Sequence, residues 1–391
     1  MKIIVAGAGI GGLSAAIALS KAGFEVEVLE RAGVLREIGA GLQLSPNAMK
    51  ALDALGCAEA AEAVSSEPEA LELRIGRTGA KVFSIPAGKA ARKRYGAPYL
   101  HVHRADLVEV LRRAAEFAGA RILLGARVAA YVREGEELRI GLDNGTITTA
   151  DLLVGADGIR STVRKQMLGD DHARFTGTVA WRILAPAAAC PELPHSAVVW
   201  CGPRKHAVTY RIRKDELINF VGVIEEADWR EESWDQTGDP AQLIQAFKGW
   251  DERVLKVMGR AQSCHRWALF DRDPLPRWSD KRVTLLGDAC HPMPPFQAQG
   301  AAMALEDAVT LSKRLAAEGA SDEALKRYEA QRKPRTTRVL ASARSNMGVF
   351  HRSNPLTQTA TYGPMRIADR LLPGFVRSRQ DWIYGFDVRK G

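Results

Sequence analysis

Met1-Lys2-Ile3-Ile4-Val5-Ala6-Gly7-Ala8-Gly9-Ile10-Gly11-Gly12-Leu13 opens the chain. Its first half is an apolar run of strand type, and its second half spells G-x-G-x-x-G. Ser14-Ala15-Ala16-Ile17-Ala18-Leu19 continues as a helix of small residues, and Val26-Glu27-Val28-Leu29 reads as a second strand ending on Glu30. Strand, glycine loop, helix and strand make a βαβ unit that closes on an acid. In such a unit Gly7 permits the tight turn, Gly9 lets the backbone approach a pyrophosphate, and Gly12 lets the helix pack closely on the strand. The helix N-terminus offers free N–H groups and a partial positive charge to phosphates. Glu30 stands where an acid accepts hydrogen bonds from ribose hydroxyls. The unit predicts an adenine dinucleotide site. A glycine-rich turn in some other α/β protein would leave the terminal acid unexplained.

The 391 residues allow two or three domains with a substantial core. A hydrophobic share of 46% and a charged share of 26% are ordinary for a soluble globular protein. No apolar run approaches the roughly 20 residues of a membrane helix. The first strand begins at once, which leaves no room for a secretory leader, so a cytoplasmic protein without a membrane partner is expected. The five cysteines are scattered and form no C-x-x-C pair, which excludes a disulfide framework and gives no metal site. The net charge of +9 is densest in Lys89 to Arg94 and Lys326 to Arg338. Both runs read as solvated faces, with steering of small anions as the functional alternative. No aromatic-basic interleaving points to nucleic acid.

Further along, Arg31 to Pro46 is rich in glycine (Gly33, Gly39, Gly41), which reads as loop and short strand close to a ligand. Asn47 is suited to cap the helix that carries Ala48, Leu52 and Leu55, with Gly56 as its stop. Leu71 to Ile85 alternates as strands do. His101-Val102-His103 passes into a helix of 3.6 period, and Asp143-Asn144-Gly145 signals a hairpin. Leu152-Leu153-Val154-Gly155 is a buried strand running into the turn Asp157-Gly158, and a helical stretch follows with Arg160, Ser161 and Arg164. From about Phe175 to Ile224 the pattern changes to strands, as in an inserted sheet domain. Trp229, Trp234 and Trp250 read as packing residues. Val283-Thr284-Leu285-Leu286 ends in Gly287-Asp288; a proline-rich loop follows, and a helix starts near Gly300 and Ala301. The tail from about Gly348 reads as loop-rich, with an aromatic end (Trp382, Tyr384, Phe386) that packs on the body.

Three stretches together resemble the class A flavoprotein aromatic hydroxylases: Gly7-x-Gly9-x-x-Gly12 with Glu30, Asp157-Gly158 with Ser161 and Arg164, and Gly287-Asp288 with His291-Pro292. The likeness covers nearly the whole chain. It implies an α/β fold: a Rossmann-like FAD-binding domain of p-hydroxybenzoate hydroxylase type (1–75, 100–170 and 281–345). A mostly β substrate domain (76–99 and 171–280) is inserted, and a C-terminal segment (346–391) packs on the body. It implies FAD as cofactor and NAD(P)H as a transient co-substrate, NADH favoured. O2 and a small aromatic carboxylate are the other reactants; no metal is needed, and the oligomeric state is open, a homodimer being one candidate. By the same resemblance Gly7, Gly9, Gly12, Glu30 and Arg31 bind FAD, with Glu30 on the adenosine ribose. Arg104 takes the phosphate or ribitol, and Val128 lies near the adenine. Asp157 and Gly158 serve FAD and the passing NAD(P)H. Asp288 binds ribitol, and Gly300 and Ala301 lie by the isoalloxazine.

Within that family the wording is closest to the 6-hydroxynicotinate 3-monooxygenases, then the salicylate 1-monooxygenases. The shared wording includes Asp273-Pro274-Leu275-Pro276-x-Trp278-Ser279, Arg92-x-x-Tyr95-Gly96-Ala97 and the aromatic tail. The resemblance implies a strand that sets His206 and Tyr210 on the substrate, and their even spacing puts both on one face. It puts His291 and Pro292 at the flavin's active face, where position matters more than acid–base work. Two residues depart from the pattern: Gln43 stands where a pocket histidine is usual, and Ala197 where a cysteine is. The implied reaction is hydroxylation of a hydroxylated aromatic or pyridine carboxylate, with loss of CO2 as the first reading. The alternatives are a non-decarboxylating 3-hydroxybenzoate-type enzyme and a flavin-free escort on the same fold. An escort has no use for Gly287-Asp288 beside a glycine-rich loop.

Overall fold

The computed structural model describes residues 1–35, 41–135, 137–170, 173–226, 236–261 and 263–390. The loop residues 36–40, with Gly39, and Trp229 and Trp234 lie outside them. Lys2–Ala6 sits at the centre of a six-stranded sheet, with Leu152–Gly155 on one side and Glu25–Glu30 on the other. Val283–Leu285 and Arg121–Leu124 extend it in parallel, and Ser279–Asp280 closes one edge antiparallel. Ile3, Ile4, Val5, Leu152, Leu153 and Val154 are all fully buried. This explains why the strands read as continuous apolar runs: helices and the three-stranded sheet Val128–Glu134, Glu137–Leu142 and Ile147–Ala150 pack against the parallel sheet and bury both faces. Helix Ile10–Lys21 packs between helices Arg104–Phe117 and Gly300–Glu318. The chain leaves the central strand in opposite directions on its two sides, so a crevice opens at the strands' C-terminal ends.

The second sheet has eight strands. From one edge to the other they run Gln236–Thr237, Ser263–Asp271, Arg174–Pro186, Leu217–Glu225, Lys205–Ile212, Ala197–Gly202, Ala70–Ile75 and Lys81–Pro86. All neighbours are antiparallel except Ala197–Gly202 with Ala70–Ile75. Ala70–Ile75, which the sequence grouped with the first domain, therefore belongs to the second sheet. Its alternation marks a strand but carries no information on the partner. Trp250 is buried against this sheet, as expected of a packing residue.

Three further expectations are corrected. The tail is helical, in Pro355–Leu371, Pro373–Ser378 and Asp381–Tyr384. Asn354 caps the first of these through the Leu356 N–H, and Pro355 fills the helix position that has no use for an N–H. The aromatic end does meet the body: Lys50 donates to the carbonyls of Tyr384, Gly385 and Phe386, and Phe386 lies over the Arg335 guanidinium. Asn47 is not a cap. Ser45 holds that place, and the Asn47 amide reaches Glu306 and Gln299 instead. Finally, the basic run from Lys326 to Arg338 is not simply a solvated face, because Arg332 is only 1% exposed.

Candidate active site

The crevice is a cleft of about 840 Å³ where the first sheet faces the second. Gly7, Gly9, Glu30, Arg31, Arg104, Val128, Asp157 and Gly158 line it together. Gly7 has φ +102°, and a Cβ there would meet the Ala156 carbonyl oxygen at 2.5 Å. A Cβ on Gly12 would lie 1.9 Å from the Gly7 oxygen, so only glycine lets the helix start this close to the strand. A Cβ on Gly9 would meet nothing within 4 Å. That position is open toward the cleft, as close approach by a ligand requires. Glu30 accepts the Ala8 N–H at 2.8 Å and the Ala32 N–H at 2.9 Å. It thereby ties the glycine loop to the end of the second strand. Each carboxylate oxygen keeps capacity for another donor, such as a ribose hydroxyl.

Asp157 organises the neighbouring turn. Its carboxylate accepts the Ser161 hydroxyl at 2.5 Å and the Thr162 N–H at 2.7 Å, and Ser161 caps the helix Thr162–Leu168 through the Arg164 N–H. Arg164 is buried and donates to the carbonyls of Ile159 (2.7 Å) and Ala289 (2.9 Å). One guanidinium thus fixes the Asp157 turn against the Gly287–Ala289 turn. Asp288 is exposed at the end of the strand Val283–Leu285. Gly287 packs against Ala304 of the helix that Gly300 and Ala301 begin. Asp288, Gly300 and Ala301 do not line the 840 Å³ cleft; they lie around the turn bonded to its wall.

His291 and Pro292 are buried. The His291 Nε2 lies 2.5 Å from Asp307, which also accepts Arg332 at 2.7 Å and the Gly287 N–H at 3.2 Å. Arg332 continues to Glu306 at 2.7 Å, and Glu306 accepts Arg335 and Asn47. Burial alone would push the Glu306 and Asp307 carboxyls up. The charges and hydrogen bonds of Arg332, with Arg335 on Glu306 and His291 on Asp307, hold both below the ordinary range. His291 thus ties its loop to the helix Gly300–Glu318 through Asp307.

On the second sheet Tyr210 and His206 are both buried on one face of Lys205–Ile212. Four residues along a strand span about 13 Å, so the two mark opposite ends of a site. Tyr210 lies under Gly41, where a Cβ would come within 2.6 Å of its ring. Its ring is 4.6 Å from that of His101, which is paired across the strands with Gln43. Tyr99 donates to Gln43 at 2.6 Å. Burial lowers His101 to about 3, so its ring is neutral. The His101 Nε2 has no partner among the described residues. At the other end, His206 packs against Phe296, beyond the proline-rich loop, and Phe350, and its Nδ1 is 2.7 Å from His351. His206, Tyr210, Gln43, His291 and Pro292 do not line the 840 Å³ cleft.

An open backbone position at Gly9, an acid beside it, and Arg31, Arg104, Arg127 and Arg160 around the same cleft fit an adenine dinucleotide. A family model described as an FAD binding domain matches residues 1–343. The 3-amino-4-hydroxybenzoate 2-monooxygenase of Streptomyces platensis is 38% identical, over 99% of this chain and 96% of its own. The chain belongs to the FAD-dependent aromatic monooxygenases. The 3-hydroxybenzoate 6-hydroxylase of Klebsiella oxytoca is 35% identical to this monooxygenase over 99% and 97% of the two chains. For the 6-hydroxynicotinate 3-monooxygenase of Bordetella bronchiseptica the figures are 33%, 99% and 95%. Among solved structures, a salicylate hydroxylase substrate complex has a TM-score of 0.83 at 26% identity, covering 100% and 96%. Klebsiella pneumoniae HpxO complexed with FAD and uric acid has a TM-score of 0.84 at 28% identity, covering 96% and 95%.

Several residues of the candidate site carry no mark in the sequence. Arg182, His265 and Trp267 line the 840 Å³ cleft from the second sheet, and they look like any alternating strand residues. His351 and the pair Asp307–Arg332 come together only through packing. His101 stands opposite Gln43, where the resemblance to the 6-hydroxynicotinate enzymes implies a pocket histidine. No group of three or more His, Cys, Asp or Glu suits a metal among the described residues.

Proposed function

We propose that this monooxygenase hydroxylates a small ring that carries both a hydroxyl and a carboxylate, held between His206 and Tyr210. The observation that carries the reading is the pair of buried polar clusters on one strand face: Tyr210 with Gln43 and His101, and His206 beside Phe296 of the loop after Gly287-Asp288. Gly7, Gly9, Gly12, Glu30, Arg31, Arg104, Val128, Asp157 and Gly158 hold the adenosine diphosphate half of FAD. Asp288, Gly300 and Ala301 serve its ribitol and ring. Bound FAD, reduced by a transiently bound NADH or NADPH, supplies the activation of O2 that delivers one oxygen atom to the ring. The chain's own task is to orient the ring, exclude water and draw the proton from the ring hydroxyl, which makes the ortho and para carbons electron-rich. His206 takes that proton. Tyr210 and Gln43 fix the ring's other end, and Pro292 shapes the wall between, with His291 bolting its loop.

Retention of the carboxylate is supported by the relatives named for hydroxybenzoates, at 35% and 38% identity, beside 33% and 35% for the 6-hydroxynicotinate enzymes. Glutamine at 43 points the same way, since it cannot become a cation as histidine does. Loss of CO2 is the second reading, supported by the sequence wording shared with 6-hydroxynicotinate and salicylate enzymes.

The test is a panel of 3-hydroxybenzoate, 3-amino-4-hydroxybenzoate, salicylate and 6-hydroxynicotinate. NADH and NADPH oxidation, hydroxylated product, CO2 and H2O2 are followed together. One acid should accelerate oxidation with product matching NAD(P)H consumed. His206→Gln and Tyr210→Phe should divert turnover to H2O2 at unchanged FAD content. Full-rate oxidation without any aromatic ligand would sink the reading, and CO2 per product separates its two forms.

A further inference from the structure

His206 does not stand alone. Its Nδ1 is 2.7 Å from Nε2 of His351, the residue that follows the helix Asp322–Phe350. The other nitrogen of His351, Nδ1, is 2.8 Å from Glu225 Oε1, at the end of the strand Leu217–Glu225. The two histidine side chains are buried, and the Glu225 side chain is 30% exposed. The chain of three therefore runs from the site to the surface. We propose that Glu225, acting through His351, sets His206 as a hydrogen-bond acceptor toward the ring hydroxyl and carries that proton to solvent. The proposal deepens the reading that His206 meets a ring hydroxyl and rests on it.

The logic is one of donors and acceptors. An ionised carboxylate only accepts, so His351 must carry its proton on Nδ1. Burial pulls His351 below the ordinary histidine range despite Glu225, and burial pulls His206 well below it. A neutral His351 protonated on Nδ1 has a bare Nε2, which accepts. His206 must then donate from Nδ1, and its Nε2 is left with a lone pair. Deprotonation proceeds in order. The ring O–H breaks as an N–H forms at His206 Nε2. His206 passes its Nδ1 proton to His351 Nε2, and His351 passes its own to Glu225. Water removes it from the exposed carboxyl. The substrate loses one proton and solvent gains it.

Among the described residues the surroundings add no competing partner. Cys201 and Val223 stand opposite His206 in the sheet, and burial keeps the Cys201 thiol protonated. Phe296 and Phe350 cover the His206 ring. Arg204 donates to Glu225 Oε2 at 3.1 Å, which leaves Oε1 for His351. His351 and Glu225 are positioning residues, since neither is placed on the substrate.

Glu225→Gln tests this because it keeps the shape and reverses the signal. Its amide donates to His351 Nδ1, His351 then donates from Nε2, and His206 presents an N–H where it had a lone pair. Two measurements on the FAD-loaded enzyme decide. The first is ¹⁵N spectroscopy of the ring nitrogens with labelled histidine, His206 being assigned from the spectrum of His206→Gln. Nε2 should be bare in the wild type and protonated in Glu225→Gln. The second is the pH profile of NADH oxidation and product formation with 3-hydroxybenzoate, or with whichever acid of the panel is turned over. Glu225→Gln should lose about 10²-fold in kcat near neutral pH, the usual worth of a general base, and recover where the substrate ionises in solution. FAD affinity should not change, and His351→Gln should lose kcat in the same pH range. A protonated His206 Nε2 in the wild type, or a Glu225→Gln enzyme with unmoved tautomer and pH profile, overturns the proposal. Failure of every acid in the panel with a bare Nε2 would sink the substrate reading and leave the tautomer assignment standing.

Discussion

Gly9→Ala isolates cofactor contact from folding. The Gly9 backbone, φ −76° and ψ −176°, is one that alanine adopts without strain, and a Cβ there touches nothing within 4 Å. A compatible Gly→Ala change stabilises by about 0.4–1 kcal/mol through the unfolded chain. For a chain of 391 residues the unfolding entropy is about 0.8 kcal/mol/K, so apoprotein Tm should rise by about 1 °C or less. The added methyl occupies the space a pyrophosphate needs. Losing one charge-assisted N–H bond to a phosphate costs about 1.5–3 kcal/mol, which is about 10–150-fold in FAD Kd. Linkage gives a second reading. FAD at 100 times the wild-type Kd stabilises wild type by about 2.7 kcal/mol, about 3 °C; a variant bound 100-fold more weakly gains about 0.4 kcal/mol, about 0.5 °C. Gly12→Ala is the contrast, since its Cβ would sit 1.9 Å from backbone oxygen and must force helix from strand. It should melt several degrees lower even without FAD. FAD fluorescence titration and thermal melts of both variants provide the assay. Gly9→Ala with wild-type FAD affinity, or with an apoprotein several degrees less stable, would refute the reasoning.

Glu30→Ala should weaken FAD by about 1–3 kcal/mol and ADP by the same factor, because the lost contacts are on the adenosine side; unchanged ADP affinity in competition titrations would remove Glu30 from the site. Arg332→Met removes the buried cation shared by Glu306 and Asp307, leaving Arg335 and Asn47 on the first and His291 and the Gly287 N–H on the second, and should cost about 3 kcal/mol, read as a loss of Tm. Because both carboxyls are held below their ordinary range, the stability they contribute is present above the unfolded carboxylate pKa of about 4 and is lost as pH falls through the lower folded values, so the Arg332→Met deficit should shrink in acid. His101 works with the opposite charge: its folded value of about 3 lies below the unfolded value of about 6.5, so the unfolded chain gains a proton first and stability falls as pH drops below about 6.5. That amounts to about 2 kcal/mol between pH 7 and pH 5, and His101→Gln should lose that part of the acid sensitivity in thermal melts at the two pH values.

The dinucleotide half of the site was legible in the residues because it is local. Gly7, Gly9, Gly12 and Glu30 lie within one βαβ unit, where strand and helix periods and glycine sterics act over a few residues. The turns at Asp157-Gly158 and Gly287-Asp288 were legible for the same reason, as was the face shared by His206 and Tyr210, which strand parity dictates. Long-range packing decided the rest. Ala70–Ile75 has the alternation of any strand, and only its pairing with Ala197–Gly202 assigns it to the second sheet. A run of arginines does not say which guanidinium turns inward; Arg332 does because Glu306 and Asp307 face it from another helix. His351 stands 145 residues from His206 and 126 from Glu225, so no spacing could join the three. The glycine loop, its terminal acid and the two later turns pointed to a flavin dinucleotide, and the family resemblance implied an aromatic acid. The tertiary fold decided which nitrogen of His206 is left to meet the substrate, because a hydrogen-bond chain acquires its direction only when its two ends are brought together.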